Sequence, residues 1–210
     1  MKKFIVIAAS LLLAVSAHAQ LGVVAGITSS KTNFKEAYAD VKNATSYHVG
    51  LTYKLDLGLI AIQPSLIYNV KGAKVENAIN KATEGALTVG DFEYKTGSIE
   101  IPVQLQAGIN LGIARVYGLV EPFVGYQITN SANYVNGNKI DVKWDEVKNK
   151  LEWGVGVGAG VELIQHVQVA VRYFWNMGST QDAKINVNDV KDIVTNKKAN
   201  GVMASVALLF

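Results

Sequence analysis

From residue 99 to residue 111 the chain alternates without a break. Ile99, Ile101, Val103, Leu105, Ala107, Ile109 and Leu111 fall on one side. Glu100, Pro102, Gln104, Gln106, Gly108 and Asn110 fall on the other. Successive side chains of a strand point to opposite faces, so this pattern specifies a strand with one apolar and one polar face. Residues 151–163 repeat it, with Leu151, Trp153, Val155, Val157, Ala159, Val161 and Leu163 set against Glu152, four glycines and Glu162. Segments 58–71, 115–129 and 167–177 follow the same rule, and 21–30, 46–56 and 201–210 follow it more weakly. Ile67, Tyr117, Leu119 and Phe123 break the polar faces. The reading is eight strands.

Their spacing sets the topology. Joins near Leu55–Leu57, Gly112–Ala114 and Ile164–His166 are tight, whereas 31–44, 72–91, 130–149 and 178–199 are long. Short and long connectors alternate, as in an up-and-down antiparallel barrel with one plain and one elaborated rim. An even strand count puts both ends of the chain at the plain rim. The long connectors are polar and lysine-rich. Ile140, Val142 and Trp144 still alternate, so the strands are expected to continue past the wall as hairpins. Val190, Ile193 and Val194 fit one face of a short helix equally well.

The compartment follows from the first residues. MKKFIVIAASLLLAVSAHAQ has a basic start, an apolar stretch from Phe4 to Val15 and an A-x-A site ending at Ala19. That is the pattern of a secretory signal peptide, and the stretch is short for a membrane anchor. The expected organisation is a leader over 1–19 and a single domain over 20–210. Residue 20 is Gln and not Cys, so lipoprotein acylation is not indicated. Removing the leader takes Lys2 and Lys3 from 20 basic residues and leaves all 17 acidic ones, a mature charge of +1. No nucleic-acid partner is expected from that balance. With no cysteine, the exported domain relies on burial and backbone pairing.

Alternation alone does not say which face is outside. A soluble lipocalin-type barrel places the apolar face inward. Three features favour outward. The polar faces are rich in glycine and uncharged groups, which suit a narrow interior better than a solvated surface. Aromatics (Tyr47, Tyr68, Tyr126, Trp153 and Trp175 toward one rim, Tyr53 and Phe210 toward the other) form two girdles. The sequence also finishes on an apolar strand, GVMASVALLF, which would close a wall against the first strand and rest in lipid. The expected fold class is therefore all-β. It is an eight-stranded antiparallel up-and-down transmembrane β-barrel with four long extracellular loops and short periplasmic turns.

An inward polar face then predicts charge layers, counted from the tight turns. Lys54, Arg115 and Glu162 lie near the plain rim, His48, Gln104, Glu121 and Arg172 near the middle, and Lys71, Glu100 and Glu152 near the elaborated rim. Each layer holds both signs, as a water-poor interior requires. The expectation is a plugged lumen stitched by Arg–Glu pairs, with a proton or ion path as the functional alternative. Beyond the leader only His48 and His166 remain, so neither a nucleophilic triad nor a transition-metal site is expected. No catalytic, cofactor-binding or metal-binding residue is assigned, and the protein is expected not to be an enzyme. GVGVGA at 154–159 matches a loose dinucleotide pattern, but the alternation runs through it where a helix would have to begin. Pro64, Pro102 and Pro122 each lie inside a strand and remove a ladder donor.

The stretches VVAGITSS, QPSLIYNVKGAK, SIEIPVQLQAG, VEPFVGYQ, GVGVGAGVEL and the terminal ALLF carry a resemblance. From Leu21 to Phe210 the chain resembles the small outer-membrane β-barrels of Gram-negative bacteria, the OmpA/OmpX-like class, and looks closest to PorT-like barrel proteins. The resemblance implies an outer-membrane location. It also implies that residues 201–210 are read by the barrel-insertion machinery. The other expected partners are outer-membrane lipid and an unidentified extracellular or envelope protein. The most favoured role is a membrane scaffold or surface-interaction protein acting through its loops. The alternatives are a narrow transporter and, less favoured, a lipid A-modifying enzyme.

Overall fold

The computed structural model describes residues 19–32, 40–76, 92–134, 139–140, 150–178 and 199–210. Nine strands occupy them: β1 (Ala19–Thr32), β2 (Asp40–Asp56), β3 (Ile60–Glu76), β4 (Phe92–Asn110), β5 (Ala114–Tyr134), β6 (Lys139–Ile140), β7 (Leu151–Leu163), β8 (Val167–Asn176) and β9 (Ala199–Leu209). All the pairings are antiparallel. Eight strands form a closed wall, and the two-residue β6 is an appendage to the top of β5. Closure comes where the terminal strand meets the first, from Gly22↔Leu209 to Thr32↔Ala199. The last ladder bond is donated by the Phe210 amide to the Leu21 carbonyl, at 2.7 Å.

The short joins are the three expected. In two of them a glycine with positive φ, Gly58 at 87° and Gly112 at 78°, takes the first central position, the II′ hairpin pattern that matches the twist of the strands. At the other rim β2, β3, β4 and β5 run several residues past the expected strand ends. Their pairing continues to Asp40↔Glu76, Val75↔Phe92 and Phe92↔Tyr134. The expected hairpin extension is thus present, and Ile140 pairs with Ala132. Val142, Trp144, Val190, Ile193, Val194 and residues 1–18 of the expected 1–19 leader lie outside the described residues.

The faces are as the alternation requires. Ile101, Val157 and Val169 point out of the barrel and are about half exposed, while Gln104, Gly156 and Arg172 are buried inside it. Tyr68, Ile99 and Tyr126 stand side by side in register on the outer surface, and Tyr47 packs against Tyr68 with ring centroids 6.3 Å apart. Tyr173 and Trp175 meet edge to face at 4.7 Å on the same side. The prolines fall on the neighbouring strands β3, β4 and β5. The ladders skip Ser65 and Leu66 near Pro102, and Val103 and Gln104 near Pro122. A residue with no N–H leaves such a gap in a wall of paired amides.

Candidate functional site: the lumen

The inner face is built by neighbours of unequal size. On β5 the inward residues are Arg115, Tyr117, Leu119, Glu121 and Phe123, opposite Glu162, Gly160, Gly158, Gly156 and Gly154 of β7. The glycines leave the space that the β5 side chains fill. A Cβ on Gly154 would sit 2.6 Å from Phe123 Cζ, and one on Gly160 would sit 2.5 Å from the Tyr117 ring. Above them the sizes reverse. Gly125 of β5 stands between Glu100 of β4 and Glu152 of β7, and a Cβ there would lie 2.8 Å from Glu100 Cγ and 3.1 Å from Glu152 Oε1.

Three charge centres occupy this space, at the depths expected from counting. At the periplasmic end, Lys54 Nζ contacts Glu162 Oε2 at 2.7 Å and Asp56 Oδ2 at 2.8 Å. In the middle, Arg172 Nε lies 2.7 Å from Glu121 Oε1, whose other oxygen accepts from Gln104 Nε2 at 2.8 Å. Toward the extracellular end, Lys71 Nζ is 2.7 Å from Glu100 Oε1 and 3.3 Å from Glu152 Oε2. Lys71 also stands over the Phe123 and Phe174 rings, 4.6 and 5.1 Å from their centroids, so two ring faces add to its stabilisation.

Two features correct the sequence expectation. Arg–Glu pairing describes only the middle centre, since lysine is the cation at both ends. Arg115 instead donates from Nη1 to Gln106 Oε1 at 3.0 Å and lies over the Tyr117 ring. The interior is also partly apolar. Val24, Ile67, Phe123, Phe174, Met203 and Ala207 form one buried cluster, and Tyr117, Leu119 and Ala170 a second. The residues that broke the polar alternation are thus an internal core.

His48 is more connected than the sequence indicated. Its Nε2 is 2.8 Å from Ser205 Oγ and its Nδ1 is 3.0 Å from Thr28 Oγ1. The neighbours fix the direction of the Thr28 bond. Ser205 Oγ accepts from Arg172 Nη1 at 2.7 Å, so its hydrogen is free to go to Nε2. Thr28 donates to Asn69 Oδ1 at 2.9 Å, so it accepts from Nδ1–H. His48 Nδ1 therefore carries a proton, and Nε2 is held against Ser205. The sequence signal for this contact was Gly26, which pairs with both His48 and Ser205. A Cβ there would lie 2.8 Å from His48 Nε2. A serine bonded to a histidine suggests a nucleophile and its base, but here Ser205 is held by a guanidinium and the cavity beside it measures only about 20 Å³. The other histidine, His166, sits in the turn as expected and donates from Nδ1 to the Ile164 carbonyl at 2.6 Å.

These contacts join end to end. Arg115 leads through Gln106, Gln104, Glu121, Arg172, Ser205, His48, Thr28 and Asn69 to Glu100 and Lys71. The chain includes three primary amides and two guanidinium groups, and it braces the lumen from the periplasmic layer to the outer one. Among the described residues no group of three or more His, Cys, Asp and Glu side chains could hold a metal ion.

No curated protein matches the chain by sequence. Among solved structures, the chain is similar to Neisserial surface protein A, at 15% identity and a TM-score of 0.43, over 91% of this chain and 99% of that one. It is similar to Ail, the attachment invasion locus protein of Yersinia pestis, at 13% and 0.43, over 92% and 99%. It is also similar to the outer membrane protein OprG of Pseudomonas aeruginosa, at 13% and 0.41, over 91% and 94%. Residues 14–182 match the family described as outer membrane protein beta-barrel domain. With that match, the apolar exterior and the closed wall, the chain belongs to the outer membrane protein beta-barrel domain family and resides in the outer membrane.

Proposed function

We propose that this protein is a non-enzymatic scaffold or surface-interaction protein of the outer membrane that works through its extracellular loops. The filled lumen carries this reading. A periplasmic vestibule of about 680 Å³ is lined by Arg115 and Glu162, and deeper in the barrel the cavity beside Gln104, Glu121 and Arg172 measures about 20 Å³, enough for one water molecule. Eight strands leave room for side chains and none for a continuous channel. The paired extensions of β2, β3, β4 and β5 give the outer loops a stiff base, an arrangement common in binding proteins. The C-terminal strand is proposed as the segment read by the insertion machinery. A role in secretion or envelope assembly rests on the PorT-like resemblance alone.

Planar-bilayer recording with the purified barrel tests the plug, and no steady conductance is expected. A reproducible single-channel step would move the assignment to a narrow transporter. Lipid A from cells with and without the protein is expected to have the same mass, and an altered mass would indicate a lipid-modifying enzyme. Crosslinking in native outer membranes then addresses the partner. A protein captured by the intact chain and lost when residues 77–91 are removed supports the loop-based role.

A further inference from the structure

We propose that the periplasmic rim is itself a lipid-binding surface, with its turn tips immersed in the headgroup–acyl boundary of the inner leaflet. The lumen mouth then opens at the membrane surface and does not stand out into the periplasm. The tips are the first evidence. Hairpin turns favour Gly, Asn, Asp and Ser for conformational and hydrogen-bonding reasons. Here Gly58 and Gly112 meet the conformational need, yet each is flanked on both sides by a large apolar residue, Leu57 and Leu59 or Leu111 and Ile113. The turn geometry does not ask for those residues. Leu59 is 69% exposed and Ile113 77%, against 50% for Ile101 in the middle of the wall.

The third turn makes the same point at a conformational cost. Ile164 and Gln165 have φ of 46° and 63°, the left-handed region that Asn–Gly pairs normally occupy. A β-branched residue is strained there. An isoleucine kept at such a position, 63% exposed, points to apolar surroundings.

The occupant follows from continuity with the lipid-facing wall. Leu57 extends the stripe of Leu51, Tyr53 and Leu55, and Leu111 extends that of Leu105 and Ile109. Phe210 extends that of Val206 and Leu208. No charged residue interrupts these stripes. The charged residues nearby, Asp56, Arg115 and Glu162, line the mouth, where both carboxylates contact Lys54. Length agrees with this placement. Counted from Ile99, in the aromatic row with Tyr68 and Tyr126, the stripe to Leu111 spans about 30 Å along the axis at ~3.4 Å per residue and ~40° tilt. The apolar band of an outer-membrane barrel is about 25 Å tall. With the aromatic row at the outer interface, Leu111 lies about 5 Å beyond the band, and the turn tips enter the headgroup layer of the inner leaflet.

The chain has no cysteine, so single-cysteine variants take a nitroxide label at one place only. Leu59→Cys and Ile113→Cys label the tips, and Asn110→Cys labels the vestibule. Each is folded into phosphatidylethanolamine–phosphatidylglycerol vesicles, and its collision rates with oxygen and with a water-soluble nickel chelate are measured. Oxygen collisions are expected to exceed those with the chelate several-fold at 59 and 113, and to fall below them at 110. Chelate-dominated collisions at 59 and 113 in a barrel that migrates as folded on an unheated gel would overturn the proposal. Such a result would leave a periplasmic protein as the occupant to seek. Should either tip variant fail to fold, Ile164→Cys reports on the third turn.

Discussion

Strands β5 and β7 are neighbours in the wall with opposite inner faces. β5 presents Arg115, Tyr117, Leu119, Glu121 and Phe123, and β7 answers with Glu162 and four glycines. At Gly125 the roles exchange, and β7 supplies Glu152. The lumen of an eight-stranded barrel is too narrow for bulky residues on every strand, so volume on one strand requires its absence on the next. In a soluble core a glycine is a weak choice for a strand interior, but here it is what lets the barrel close around its charges.

The sharpest way to break this complementarity is to fill a glycine. Gly154→Leu would drive Cβ against the Trp175 carbonyl and the Phe123 ring. Overpacking a well-filled interior costs about 1–3 kcal/mol, and more where backbone must move. The expected result is a chain that stays at the unfolded mobility on unheated gels. A variant that folds as completely as wild type would show that β5 and β7 are less tightly matched than their register implies.

The charge centres give a second comparison. Arg172 has one carboxylate, Glu121, whereas Lys71 has two, Glu100 and Glu152. Glu121→Ala leaves a buried guanidinium with no counter-charge within the middle layer, a loss of about 3–5 kcal/mol. Glu100→Ala leaves Lys71 paired with Glu152, so only about 1–3 kcal/mol is expected. Urea titrations in vesicles measure both. Equal losses would mean that redundancy at the outer centre does not stabilise it.

What the sequence made legible follows from which contacts are local. Side-chain parity is local, so the faces, the three tight turns and the approximate depth of each charge could be counted along single strands. Contacts across the lumen depend on the stagger of the strands, which alternation does not set. That is why the layers held while partners changed, with Lys54 and Lys71 in place of arginines opposite Glu162 and Glu100. It is also why Ser205 was not seen beside His48, 157 positions away. Ile67, Leu119 and Phe123 looked like flaws in a polar face because a strand pattern carries no information on what lies across the barrel. Their meaning is visible only when they meet.

Gly118 sharpens the comparison from the opposite side. It lies on β5 between Ala107 and Ala159 in register, but on the outer face, in a lipid-facing groove of about 550 Å³. A Cβ placed there meets only the Gly158 carbonyl oxygen, 4.0 Å away. Gly118→Ala adds a methyl group to the acyl chains and reduces the freedom of the unfolded backbone, which is worth about 0.4–1 kcal/mol where the native conformation admits alanine. The expected change in the urea midpoint is thus small and upward, while Gly154→Leu abolishes folding. A clear loss in Gly118→Ala would mean that this groove holds something that needs the glycine, and that size matching extends through the wall to its lipid side.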